Sequence, residues 1–267
     1  MARRRLDAEL VRRGLARSRE HAQQLVAAGR VRVSGGTATK AATQVDMAAP
    51  VVGVEASTGP DYVSRGAHKL VGALHRFDPD GQMVAGRWAL DAGASTGGFT
   101  DVLLRRGAEH VIAVDVGYGQ LAWSLRSDER VTVMDRTNVR NLSVADLPRR
   151  PEVLVADLSF ISLRLVLGAF AQVVAEGADL LVMVKPQFEV GREALGSGGV
   201  VREPALRESA VLGVAGAAWE VGLGTVDVVA SPLPGPSGNV EYFLHLRADA
   251  GSVDPGIVRR AIEEGPQ

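Results

Sequence analysis

The segment Ala89-Leu90-Asp91-Ala92-Gly93-Ala94-Ser95-Thr96-Gly97-Gly98-Phe99-Thr100 sets a carboxylate directly before a glycine-rich turn. An apolar strand that runs into such a turn and then into a helix brings backbone close to a ligand, as at the first crossover of a nucleotide-binding sheet. Twenty-four residues after Asp91 stands Asp115, at the end of the next apolar run. A carboxylate there can accept hydrogen bonds from both hydroxyls of a ribose. A dinucleotide site would want glycine where Ser95 stands, and Asp91 would repel a pyrophosphate. S-adenosylmethionine suits both features, since it carries a cationic amino group and a sulfonium and no phosphate. The cofactor set is therefore Asp91, Gly93, Ser95, Gly97, Gly98, Phe99, Asp115 and Asp135. For Phe99 the alternative is core packing, and for Asp135, which closes the following run, it is a helix cap.

Proton-moving residues come next. Asp157 ends the run Val153 to Ala156, and Lys185 ends Leu180 to Val184. Charged residues that terminate buried parallel strands lie at the carboxyl edge of a sheet, where ligands bind in this architecture. The chain has 27 arginines and only three lysines, at 40, 69 and 185. Lysine is a titratable amine and arginine is not, so each remaining lysine is informative. Lys69 stands in Ser64-Arg65-Gly66-Ala67-His68-Lys69-Leu70, and Glu241 opens the last apolar run after a Pro/Gly-rich loop.

The elements that position these residues alternate. Strand-like runs at 88–91, 111–115, 131–134, 153–156, 180–184, 226–230 and 242–246 are separated by helical patterns at 98–106, 119–127, 162–175 and 203–221. That pattern predicts an α/β fold, a doubly wound Rossmann-like sheet, with a short helical tail from Val258 to Ile262. Before it, Leu6, Leu10, Leu15, Ala22, Leu25 and Val26 repeat at helical spacing around Gly14, with Ser18 as N-cap of a second helix. Val31 to Val33 then alternate into a Ser34-Gly35-Gly36 turn. The expected domains are 1–60, a small α+β module with a linker from Ala48 to Pro60, and 61–267. Residues 1–40 hold ten basic and three acidic side chains, and the remainder twenty and twenty-eight. A module of about +7 on a body of about −8 points to a polyanionic partner held by the module, or to a solvated charged face.

The absence of cysteine excludes disulfides, thiol catalysis and Cys-ligated zinc, and the histidines at 21, 75, 110 and 245 lack ligand spacing, so no metal is expected. His68 beside Lys69 lines the site or is structural. Basic residues at the start without an apolar stretch behind them do not read as a signal peptide, and no apolar run reaches the length of a membrane span. The expectation is a cytoplasmic protein that does not engage a membrane.

Arg5-Leu6-Asp7, Gly14-Leu15-Ala16-Arg17-Ser18-Arg19 and Gly29-Arg30-Val31-Arg32-Val33 resemble the S4 RNA-binding domain. That resemblance implies phosphate contacts from Arg4, Arg5, Arg17, Arg19 and Lys40, with Arg12 and Arg13 left as solvated helix positions. The set Lys69, Asp157, Lys185 and Glu241 resembles the catalytic tetrad of FtsJ-type ribose 2′-O-methyltransferases. Together with SRGAHKL, LDAGASTGGFT, DVGYGQLAWSLR, ADLSFISL, VKPQFEVG and SPLPGPSGNVEYF, the chain resembles the TlyA, or haemolysin A, family. The resemblance implies S-adenosylmethionine-dependent 2′-O-methylation of cytidine in ribosomal RNA within ribosomal subunits. The extended C-terminus implies action on both 16S and 23S rRNA. Lys185 would orient and help deprotonate the hydroxyl, Asp157 would tune that lysine, and Lys69 and Glu241 would complete the charge network. Phe160 reads first as a core residue and second as a stacking platform for adenine or a flipped base. A base-directed methyltransferase would want an Asn-Pro-Pro-Tyr-like motif or a cysteine nucleophile, and neither is present. A membrane-active cytolysin and a non-catalytic rRNA-binding assembly factor are the competing classes.

Overall fold

The computed structural model describes residues 3–27, 29–47, 52–54 and 61–266, and the chain divides into two compact units, Met1–Val63 and Ser64–Gln267. Most of the linker expected from Ala48 to Pro60 lies outside the described residues.

The first unit opens with β1 (Arg3–Arg5), α1 (Leu6–Arg12), α2 (Arg19–Ala27), β2 (Val31–Val33), β3 (Gly36–Thr37), β4 (Gln44–Asp46) and β5 (Val52–Val54). Gly14, with φ +71°, ends the first helix, and the Ser18 hydroxyl accepts the His21 amide at 3.1 Å to start the second. β1 pairs antiparallel with β4, and β2 pairs antiparallel with both β3 and β5. Leu6, Leu10, Ala22, Leu25, Val31 and Val45 close a small core beneath the helices.

The second unit contains α3 (Ala67–Phe77), β6 (Trp88–Ala92), α4 (Gly98–Arg105), β7 (His110–Val114), α5 (Trp123–Arg126), β8 (Val131–Met134), β9 (Val153–Ala156), α6 (Leu167–Val173), β10 (Asp179–Val184), α7 (Pro186–Glu189), α8 (Pro204–Glu220), β11 (Gly224–Ala230), β12 (Tyr242–Arg247) and α9 (Pro255–Glu264). The seven strands form one sheet in the order β11-β12-β10-β9-β6-β7-β8. β6 to β10 run parallel, and β12 is antiparallel to both of its neighbours. This is a mostly parallel α/β sheet, as the alternation of elements predicted. The first strand, β6, lies in its middle, so the chain reverses its direction of growth between β6 and β9. A crevice opens there, at the carboxyl ends of the strands. Leu90, Ile112, Leu154, Leu180 and Leu244 are fully buried in the sheet core, each contributing roughly 1.5–3 kcal/mol of hydrophobic stabilisation.

Two helical expectations change. The pattern at 119–127 yields only the single turn α5, because Gly119 takes φ +66° and Ala122, at ψ 138°, is extended, so helical backbone starts only at Trp123. The pattern at 162–175 begins as a 3-10 turn, Leu163–Leu165, before α6. The expected tail is a full helix, α9, capped by Asp254 with Pro255 in its first turn.

Candidate active site

Register brings the reactive residues together. Val184, the last residue of β10, pairs with Tyr242, the first of β12, so Lys185 and Glu241 leave adjacent strands side by side. Ala156 of β9 pairs with Ala92 of β6 and Val182 of β10, which carries Asp157 and the glycine-rich turn to the same edge.

There the four charged residues form two ion pairs. Lys185 Nζ lies 2.5 Å from Asp157 Oδ1 and donates to Ser159 Oγ at 2.8 Å. Lys69, on the first turn of α3, donates to Glu241 Oε2 at 2.6 Å. Both lysines are buried, and Glu241 is wholly so, with its second oxygen unpartnered among the described residues. Gly235 holds that oxygen close: a Cβ there would stand 2.5 Å from it.

The turn after β6 packs against the loop after β9. A Cβ on Gly93, which has φ +87°, would lie 2.7 Å from the Asp157 carbonyl oxygen. Gly97, at φ +98°, starts α4 against Leu121 and Leu125, where a Cβ would collide. Ser95 is also left-handed, at φ +49°, and its amide donates to Asp115 at 2.8 Å. The other Asp115 oxygen accepts the Gly117 amide at 2.7 Å, so the carboxylate is fixed with lone pairs to spare. Asp135 caps no helix; its carboxylate accepts from Arg126 at 2.5 Å and from Gly119, and that pairing lowers it below the usual carboxylate range.

Asp91 is fully buried, and burial pushes its carboxyl up to about 7. One oxygen accepts the Thr100 hydroxyl at 2.7 Å, and the other has no partner among the described residues. An orphaned buried acceptor is costly unless a ligand donor answers it.

Two cavities flank the lysine-carboxylate pairs. One of about 160 Å³ is lined by Ser64, Gly66, Gly93, Ser95, Phe99 and Asp157, and one of about 320 Å³ by Phe160, Lys185, Gln187, Phe188, Asn239 and Glu241. A larger hollow of about 450 Å³, beside β11 and α9, shares no lining residue with either and holds none of these groups. Phe99 is 4% exposed, its ring 6.0 Å from that of Phe243, so it packs in the core while bordering the first cavity. Phe160 departs from the core expectation: it is 92% exposed at φ +63°, held out beside Phe188 on the rim of the second cavity. Asn239 fixes the far wall, accepting from the Val201 amide at 2.8 Å and donating to the Gly199 carbonyl at 3.0 Å.

In the first unit, Arg5 and Arg19 donate to Asp7, which is fully buried and drawn well below the usual carboxylate range by Arg5 first. Arg12 and Arg13 are not simply solvated, since both grip the buried Glu9. Arg17 donates to the Tyr62 carbonyl, and Arg4 and Lys40 are exposed. Among the described residues no cluster of His, Asp and Glu is arranged to hold a metal ion, and no helix is long and apolar enough to cross a membrane.

Sequence reading missed Ser159, Gln187, Asn239 and the pair Ser64 and Gly66. Ser159 carried a signal, since it stands two residues beyond a strand-ending aspartate; the rest depend on folding.

Comparison with known proteins accords with this geometry. The FtsJ-like methyltransferase model matches residues 62–248 and the S4 domain model residues 4–49. The chain is 58% identical over 273 residues, spanning all of both chains, to the 16S/23S rRNA (cytidine-2′-O)-methyltransferase TlyA of Mycobacterium tuberculosis H37Rv. A solved Streptococcus thermophilus structure that carries the hemolysin name is 37% identical with a TM-score of 0.77, covering 99% of this chain and 96% of its own. A Listeria monocytogenes structure named as an S-adenosylmethionine-dependent methyltransferase, 13% identical with a TM-score of 0.50 over 67% of this chain and 98% of its own, shares the fold.

Proposed function

Because the chain belongs to the TlyA branch of the FtsJ-like methyltransferases, we propose that it methylates the ribose 2′-hydroxyl of cytidine in ribosomal RNA, using S-adenosylmethionine. The observation that carries this reading is the pair of lysine-carboxylate contacts at the carboxyl edge of the sheet, between two cavities. The cytosolic ribosomal subunits are the proposed partners, with both 16S and 23S rRNA as targets. The domains proposed are residues 1–60 for RNA capture and 61–267 for chemistry.

S-adenosylmethionine, when bound, supplies an electrophilic methyl group on a sulfonium. The residues present fit it. The unpartnered oxygen of Asp91 answers the cofactor's amino group, and the fixed carboxylate of Asp115 answers its ribose hydroxyls. Gly93, Ser95 and Gly98 form the wall, with Phe99 at its border, while Gly97 turns the chain into α4 against Leu121 and Leu125 rather than lining the cavity. Asp135 acts here by holding Arg126 and the Gly119 amide, and through them the loop after Asp115.

A ribose hydroxyl is too weak an acid to ionise unaided at neutral pH, so position and electrostatics supply the rate. Lys185 Nζ donates to Ser159 and lies against the Asp157 carboxylate. A remaining position on Nζ faces the 2′-hydroxyl in this reading, as a lone pair in the amine or an N–H in the ammonium. In the amine form Lys185 would take up the hydroxyl proton while the bound cofactor would supply the methyl group to O2′; in the ammonium form it would only orient the hydroxyl. Lys69 and Glu241 border the ribose, and the exposed ring of Phe160 offers a face to a base. Arg4, Arg5, Arg17, Arg19 and Lys40 supply phosphate contacts.

The deciding experiment incubates the purified chain with methyl-labelled S-adenosylmethionine and each ribosomal subunit, and maps modification by reverse transcription at low nucleotide concentration. Label on cytidine 2′-oxygens is expected. Label on bases, or none in rRNA, refutes the reading.

A further inference from the structure

The loops after β9 and β10 carry Asp157, Ser159 and Phe160 on one side and Lys185, Gln187 and Phe188 on the other. The sheet fixes where these loops begin, and their side chains meet only if something also fixes where they go. Glu189, the last residue of α7, lies four residues past Lys185, and its side chain is 1% exposed. Its carboxylate is divided across the gap. Oε2 accepts the Ser162 hydroxyl at 2.6 Å, and Oε1 accepts the Leu163 amide at 2.7 Å. Arg164 stands 3.6 Å from the same carboxylate. A side chain from one loop thus satisfies the start of the 3-10 turn that ends the other.

We propose that Glu189 is a positioning residue, a brace that sets the separation of Lys185 from Asp157, Ser159 and Phe160. The inference rests on the methyltransferase reading of this site. A second observation supports it independently. Phe160 takes φ +63°, a conformation unfavourable for a side-chain-bearing residue that persists only where its surroundings enforce it. Its ring lies 5.5 Å from that of Phe188, one residue before Glu189, and its backbone is anchored two and three residues downstream by the Glu189 contacts. The 2.5 Å contact of Lys185 with Asp157 crosses the same gap, so a shift of about 1 Å between the loops would misplace the nucleophile's partner.

The brace depends on reach and hydrogen bonding rather than on charge, which sets the test. Glutamine can accept the Leu163 amide with its carbonyl and donate to Ser162 Oγ, whereas aspartate keeps the charge and falls one methylene short. Glu189→Gln, Glu189→Asp, Glu189→Ala and Ser162→Ala would be compared in the full chain. Methyl transfer to ribosomal subunits gives kcat per cofactor-binding site and KM for S-adenosylmethionine, and hydrogen exchange is followed over residues 158–166. We expect Glu189→Gln to stay within about threefold of the parent kcat. Glu189→Asp and Glu189→Ala should lose about 10–100-fold in kcat with KM for the cofactor unchanged, and Ser162→Ala should fall between. Amide exchange at Leu163 should accelerate in the same order. Aspartate equal to or better than glutamine would overturn the brace, as would an alanine variant with parental kcat. Exchange needs no activity: a parent enzyme silent on rRNA defeats the proposed reaction, whereas unchanged exchange in Glu189→Ala defeats the brace itself.

Discussion

The cationic face of the first unit and the candidate site of the second use carboxylates in opposite ways. In the first, Asp7 and Glu9 are each fully buried and each surrounded by more than one arginine, Arg5 and Arg19 around Asp7 and Arg12 and Arg13 around Glu9. In the second, Asp157 and Glu241 each face one lysine, and that lysine is itself buried. Arginine stays charged and has five donors, so a guanidinium anchored through one edge still offers another to phosphate. The first arrangement displays a fixed set of cations. Lysine carries a compact amine that can hold or release a proton, and a one-to-one pair aims it at a single point. A composition that is almost all arginine thus places two of its three lysines, both buried, against carboxylates at the carboxyl edge of the sheet, with Lys40 exposed on the first unit.

The contrast predicts how each part breaks. Lys185→Ala and Lys185→Arg should both lose at least about a thousandfold in methyl transfer, the upper range for a proton-handling group, while cofactor binding measured by calorimetry persists. Turnover in Lys185→Arg would erase the distinction between the units. Asp91 is the buried acid without a cation, and it gives the next largest effect. Burial raises its carboxyl to about 7, so the folded chain holds that proton more tightly than the unfolded chain does. The destabilisation is absent below the usual carboxylate range, grows as pH rises and is complete above about 7. Asp91→Asn should therefore melt higher than the parent at pH 8, with the gap closing towards pH 5, and should bind S-adenosylmethionine more weakly. A melting-temperature gap that ignores pH would count against this account. Asp7→Asn adds positive charge to the first unit, yet should weaken rRNA binding by roughly three- to tenfold, because Arg5 and Arg19 lose their anchor. Tighter binding in a filter assay would show that the acids merely neutralise. Smallest of all, Lys40→Arg should change rRNA affinity by no more than about twofold, since a phosphate contact from an exposed side chain tolerates either cation.

Much of the frame was legible because it is written in local pattern. All seven strands of the large sheet fall on apolar runs, and a strand-ending charge at 157 or 185 marks the carboxyl edge by its position alone. The break in the helical pattern at 119–127 was not legible, because nothing in that pattern shows that Gly119 takes φ +66° with its amide on Asp135. Phe160 misled for a related reason. An aromatic after a buried strand is usually covered, but here a left-handed backbone turns it outward.

The sequence by itself determined the inventory: the glycine-rich turn behind Asp91, the acid at 115, three lysines among arginines, and a basic module ahead of an acidic sheet. Which of these residues pair with one another follows from folding. Lys69 and Glu241 are 172 residues apart and meet at 2.6 Å, while Lys185 turns to Asp157 and Ser159 rather than to Glu241, its neighbour across the strands. Local pattern encodes which face of a strand is buried. A buried ion pair depends instead on register between strands and on loops held to a fraction of an ångström, as Glu189 holds two of them, and that is a property of packing.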